Sequence, residues 1–187
     1  MQVVDRSHRL PRRSPSLVHS APGRGTRSRT SVRAGSAGGQ GGFARLAVDV
    51  SSDGVRSPLG AARVRELVRK ALKRSKVRDG MISVAFVPNR QMAKLNREHL
   101  GRSGATDVIS FGFGPTGPNG AVVGDIYIAP DVARRNAKEF GVGVREEVAR
   151  LVVHGTLHVL GRHHPEGRGR TSSKMWAEQE KLIRNAR

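Results

Sequence analysis

Near the C-terminal end runs Val153-His154-Gly155-Thr156-Leu157-His158-Val159-Leu160-Gly161-Arg162-His163-His164. His154 and His158 are four residues apart, so on a helix their imidazoles project from one face, a turn apart. Gly161 supplies an end to that helix, because it alone enters the left-handed region without a Cβ clash. The turn it permits can bring His164, or His163, back to the same point. Three imidazoles around one point, with a fourth position left to water, form a ligand set of the catalytic zinc type. A helical histidine pair by itself is often only a hydrogen-bonded pair. Four of the seven histidines fall in this one segment, which favours metal binding.

The elements that position these residues follow from periodicity. Leu46, Val48 and Val50 alternate as in a half-buried strand. Val64, Leu67, Val68, Ala71 and Leu72 recur at helical spacing, with Arg and Lys opposite. Residues 82–87 read as a short apolar strand and 90–99 as a helix. Residues 107–111 read as a third strand, 112–120 as a Gly/Pro-rich loop and 121–129 as a fourth strand. Two helices follow at 130–140 and 144–160, the second with Glu146 and Glu147 at its positive dipole end. A last helix at 173–185 offers Met175, Trp176, Leu182 and Ile183 for packing. The expectation is an α+β domain with a roughly four-stranded mixed sheet and about five helices, the histidine-bearing helix near its C-terminus.

Composition bounds the partners. The 187 residues hold 34 Lys+Arg against 15 Asp+Glu, a net charge of +19. Residues 1–42 carry eight arginines, no lysine and one acid, Asp5, among many Ser, Gly and Pro. With no apolar periodicity, they read as a disordered extension, leaving one domain over 43–187. An Arg- and Ser-rich start is also the composition of an organelle transit peptide, or of a start codon placed upstream. Removing the extension's net +7 leaves +12 on residues 43–187, so the domain itself is basic. A polyanion, most plausibly nucleic acid, is the partner such a charge suits. No apolar run approaches the length of a bilayer span, and no basic amphipathic stretch has the bulky apolar face that would dock on a membrane. Cysteine is absent, which excludes disulfides, thiolate metal sites and a cysteine nucleophile. The cytoplasm suits such a chain, with an organelle as the alternative if the N-terminus is a transit peptide.

Three blocks together resemble the YbeY family of metal-dependent endoribonucleases. The His154–His164 run is similar to that family's His-Gly-x-Leu-His-Leu-x-Gly-Tyr-Asp-His. Leu95-Asn96 followed by Thr106-Asp107-Val108-Ile109-Ser110-Phe111 resembles its Leu-Asn and Thr-Asp-Val-Leu-Ser-Phe. Gly124-Asp125-Ile126 matches its Gly-Asp-Ile strand. The resemblance implies one divalent ion, zinc being the chemical favourite, on His154, His158 and His164. It implies cleavage of single-stranded RNA in maturation of the 16S ribosomal RNA 3′ end, with the ribosomal small subunit or its assembly factors as partners.

Two departures accompany the resemblance. His163 and Arg162 stand where the family has Asp and Tyr. Leu100 stands where it has an arginine important for cleavage, and Arg102, in a loop flanked by Gly101 and Gly104, is the candidate replacement. Asp107 and Asp125 are candidate general bases, with turn or helix capping as the other reading. Residues 63–78, with eight Lys or Arg in 16 positions, are candidate phosphate contacts or a solvated helix face. Aromatic residues total only seven, so stacking on bases contributes little and binding should depend strongly on salt. Gly155 occupies the place of the Glu in His-Glu-x-x-His, which disfavours a peptidase of that mechanism. Two rivals remain: an RNA-binding ribosome-assembly factor whose metal site is structural or vestigial, and a small-molecule or peptide metallohydrolase.

Overall fold

The computed structural model describes residues 2–5, 46–116, 120–165 and 172–184. The expected α+β architecture is what forms. The four anticipated strands are β2 (Leu46–Ser52), β3 (Gly80–Phe86), β4 (Val108–Thr116) and β5 (Ala121–Ile128). A fifth, β1 (Gln2–Asp5), joins them, and the sheet order is β1-β4-β5-β3-β2. β2, β3 and β5 run parallel, while β4 is antiparallel to both β5 and β1. The first strand comes from the segment expected to lack structure, and pairs from Gln2 against Gly112 to Asp5 against Ile109. The rest of residues 1–42 lies outside the described residues.

The five helices are α1 (Ala61–Arg74), α2 (Asn89–Leu100), α3 (Pro130–Glu139), α4 (Val144–Val159) and α5 (Lys174–Arg184). β4 extends past the strand foreseen at 107–111, into residues that had read as loop. Its pairing with β5 shifts register between Gly112 and Pro115. Among the described residues β1 pairs as far as Gly112, and Pro115 follows the register shift against β5, an irregularity where a residue without an N–H is tolerated.

The larger core lies between one sheet face (Val48, Ile82, Val84, Phe86, Ile126, Ile128) and α1, α4 and α5. A smaller one joins Met92 of α2 to Ile109 and Phe111 of β4. α4 sits at the centre, packed on α1, α3, α5, β4 and β5. Buried along nearly its whole length from Glu147 to Val159, it is the most rigidly held place for side chains that must not move.

Candidate metal centre

α4 reaches the sheet closely because two positions lack side chains. A Cβ on Gly155 would stand 2.8 Å from Ile126 Cγ2 of β5. A Cβ on Gly124 would stand 2.5 Å from Val159 Cγ1 and 2.7 Å from the Phe111 carbonyl oxygen. The Gly-Asp-Ile strand and the His-Gly step are therefore two halves of one contact. Gly155 also shows why the glutamate of a zinc protease is missing. The position faces β5, where any side chain would have to push Ile126 aside.

The helix ends as its sequence anticipates. Gly161 adopts φ 72°, its N–H donates to the His158 carbonyl, and the Arg162 N–H donates to the Leu157 carbonyl. This pair of bonds is a Schellman closure, which caps the last carbonyls and turns the chain back along its own axis. His164 then returns to α4. One nitrogen from each of His154, His158 and His164 falls within 4.8 Å of the others. His154 and His158 are buried and His164 half-buried. His163, the neighbour that spacing alone left open, is exposed and outside this cluster, its ring centroid 5.7 Å from that of His158.

The donor set suits a divalent metal. Nε2 of His154 and Nε2 of His158 are 3.0 Å apart. Two ligands on one tetrahedral zinc, each about 2.0–2.1 Å from it, stand roughly 3.3 Å apart, so a small adjustment accommodates the ion. Nδ1 of His154 donates to Gln179 Oε1 at 3.0 Å, and Nδ1 of His164 donates to the Pro165 carbonyl at 2.9 Å. With the Nδ1 proton fixed on both rings, each Nε2 lone pair is left for a cation.

Gln179 was not singled out from the sequence. It lies on α5, fully buried, and its amide nitrogen points to Glu180 Oε1 at 3.4 Å, which turns the carbonyl oxygen toward His154. Glu180 in turn accepts from Arg150 Nε at 3.1 Å. Arg150 also meets Glu146 and Glu147. Burial works against its charged form, yet the hydrogen bond to Glu180 and the three carboxylates outweigh it and raise the guanidinium pKa. The signal in the sequence was a polar residue on the otherwise apolar stripe of Met175, Leu182 and Ile183.

The other anticipated residues lie elsewhere. Arg102 is exposed in the loop after α2, which ends at Gly101 with φ 65°. Buried Asn96 holds that loop by donating from Nδ2 to the Gly104 carbonyl at 2.9 Å, which accounts for the Leu-Asn block. Asp107 is buried and accepts from the Val108 N–H at 2.9 Å and from Asn136 Nδ2 at 3.0 Å, binding the start of β4 to α3. These contacts make it a link between strand and helix, and it caps neither a turn nor a helix end through them. Asp125 points to the sheet face opposite α4, since its neighbours Gly124 and Ile126 are the ones α4 touches. There it accepts from Ser83 Oγ, and it reinforces the upward pKa shift that burial gives Tyr127. Neither carboxylate is part of the histidine cluster.

Comparison with known proteins agrees with this geometry. The family model for endoribonuclease YbeY matches residues 52–187. Endoribonuclease YbeY of Geobacter sulfurreducens is 30% identical over 143 residues, covering 74% of this chain and 94% of the relative. That of Bacillus licheniformis is 37% identical over 130 residues, covering 64% of this chain and 82% of the relative. A solution structure of a Thermotoga maritima protein shares the fold with a TM-score of 0.50 at 23% identity, covering 74% of this chain and 88% of that one. The family match takes in every element from α1 to α5 together with the three clustered histidines, and the chain belongs to the YbeY family.

Proposed function

We propose that this protein is a metal-dependent endoribonuclease that cleaves single-stranded RNA, acting in ribosomal RNA processing at the 16S 3′ end. The observation that carries the reading is the convergence of His154, His158 and His164 in a chain of the endoribonuclease YbeY family. In this reading residues 43–187 form the catalytic domain, with β1 (Gln2–Asp5) added at the edge of its sheet. The protein works in the cytoplasm on the small ribosomal subunit or its precursors. No helix among the described residues is long and apolar enough to cross a membrane.

His154, His158 and His164 hold the ion, and neutral nitrogen donors of this kind favour zinc. Such an ion supplies Lewis acidity, polarising a phosphoryl oxygen and lowering the pKa of water. Gln179 and the Pro165 carbonyl keep the two imidazole tautomers correct for ligation. Arg102, on its exposed glycine-flanked loop, neutralises charge developing on the nonbridging phosphate oxygens. A carboxylate base at position 155, in the manner of zinc proteases, would have to displace Ile126 of β5. A closed structural site would call on four protein ligands, and among the described residues the cluster offers three.

The test is incubation of wild-type protein and a His158→Ala variant with single-stranded ribosomal RNA fragments, with and without chelator. Cleavage by the wild type alone, lost on chelation, is the expected result. Equal cleavage by both proteins, or none by either, would remove the support for catalysis at this site, and no cleavage with RNA binding retained would move the function to a non-catalytic assembly factor.

A further inference from the structure

A groove of about 700 Å³ runs between α1 and α5, on the side of α1 turned away from its core contacts. Its walls carry Arg69, Lys70, Lys73, Arg74 and Lys181 against a single acid, Glu66, which Arg63 already engages at 2.7 Å. On α1 the like charges stand at helical neighbour spacing: Arg69 with Lys73, and Lys70 with Arg74. Each such pair destabilises an isolated helix, and Glu66 is the helix's only acid. Arg74 meets Glu178 at 3.7 Å. Lys70 Nζ donates to the Leu182 carbonyl at 3.4 Å and ties the two walls together, so the groove is built into the helix packing.

The groove also connects with the histidines. Glu178 pairs at its other side with Arg162, at 3.9 Å. Arg162 begins the return segment that delivers His164, and Glu178 adjoins Gln179, the partner of His154. A basic track thus leads from the groove, past Arg74 and Arg162, to the rim of the metal centre. Five cations against one acid make a polyanion the occupant whose charge complements the lining, and the aliphatic stems of the Lys and Arg side chains leave room for a backbone to lie along it. From Ala62 to Arg74 the helix spans about 18 Å, room for several consecutive phosphates.

We propose that this groove is an RNA exosite, holding the phosphate backbone of single-stranded RNA that flanks the scissile bond. The proposal rests on the ribonuclease reading of the histidine centre. It assigns the α1 basic face to substrate recognition beyond that centre.

The experiment compares wild-type protein with a variant carrying Arg69→Gln, Lys73→Gln and Lys181→Gln, all exposed positions that leave the Lys70 and Arg74 links intact. Two RNA probes are used, a 20-nucleotide strand and a pentamer too short to occupy groove and metal centre together. For the long strand the slope of log K against log salt should be shallower by about 2 in the variant, since each lost phosphate contact removes about 0.7. Pentamer cleavage and zinc content should be unchanged. An unchanged long-strand slope would overturn the exosite. So would a slope that changes equally for both probes, and so would unaltered RNA binding accompanied by lost binding of polyglutamate, which would give the groove to an acidic protein. Absence of chelator-sensitive cleavage in the wild type would instead remove the ribonuclease reading, leaving the slope comparison to judge the groove independently.

Discussion

Replacing Gln179 with Leu tests whether the metal centre depends on α5. The substitution keeps the apolar volume roughly constant and removes the acceptor for the Nδ1 proton of His154. His154 is 2% exposed and Gln179 0%, so water cannot substitute for that acceptor. A buried donor left without its partner costs about 1–3 kcal/mol, and the ring becomes free to adopt the other tautomer, whose Nε2 carries the proton and cannot bind a cation. Loss of a hydrogen-bond partner behind a ligating histidine typically lowers metal affinity 10–100-fold, or about 1.4–2.7 kcal/mol. Competition with a chromophoric chelator measures zinc affinity directly, and thermal melting of the metal-free protein separates a ligand effect from a folding defect.

Gln179→Glu supplies the internal control. A carboxylate there still accepts from His154 and makes the imidazole a stronger donor to metal, but it faces Glu180 where the amide N–H now lies at 3.4 Å. The Glu variant should therefore melt lower than wild type without metal and gain more than wild type on adding zinc. An affinity for the Leu variant within twofold of wild type would refute the reasoning. Equal losses in the Leu and Glu variants would reduce the contact to packing.

Other substitutions probe separate parts of the same argument. Gly155→Ala drives a Cβ to 2.8 Å from Ile126 Cγ2, so α4 must move off β5; a loss of about 1–3 kcal/mol in a denaturant titration is expected, along with weaker zinc binding. Arg150→Ala leaves Glu147, whose side chain is 2% exposed, without the guanidinium 3.6 Å away; about 3 kcal/mol of stability should go, read as a melting temperature lower by roughly 6–12 °C. Arg102→Ala should lower kcat for RNA cleavage by tenfold or more with zinc affinity unchanged. Leu100→Arg in that background should restore part of the rate if the loop serves to deliver a guanidinium.

What could be read from the sequence was what depends on short-range geometry. His154 and His158 share a face by helical period, and Gly161 ends the helix because its φ is positive. The choice of His164 over His163 depends on how the chain returns after that turn, which spacing alone does not fix. Gln179 escaped notice because its partner is 25 residues away and the contact requires α5 to lie on α4. β1 escaped for a stronger version of that reason. It has four residues, no periodic pattern of length, and a partner strand more than a hundred positions on. The far end of β4 read as a loop because Gly112, Gly114 and Pro115 are turn residues, yet the strand continues through them with a register shift against β5 between Gly112 and Pro115.

Of the departures of this chain from the family pattern, Val159 and Ile109 exchange one aliphatic side chain for another in the core, and three others lie nearer the surface. Arg162 and His163 are exposed, and Leu100 sits at the end of α2 beside the exposed Arg102. The matching residues are those where structure leaves least freedom. His154 and His158 lie at the buried centre, Gly155 and Gly124 have no room for a side chain, and buried Asn96 pins the loop that carries Arg102. Core positions are constrained by packing whatever the substrate, whereas exposed cations can change place as long as a positive charge still reaches the phosphate. The changes at Arg162, His163 and Leu100 therefore fall where charge and contacts can vary, while the three clustered histidines are retained. A basic groove along α1 and α5 belongs to the same division, since it adds phosphate contacts without touching the rigid helix that bears the histidines.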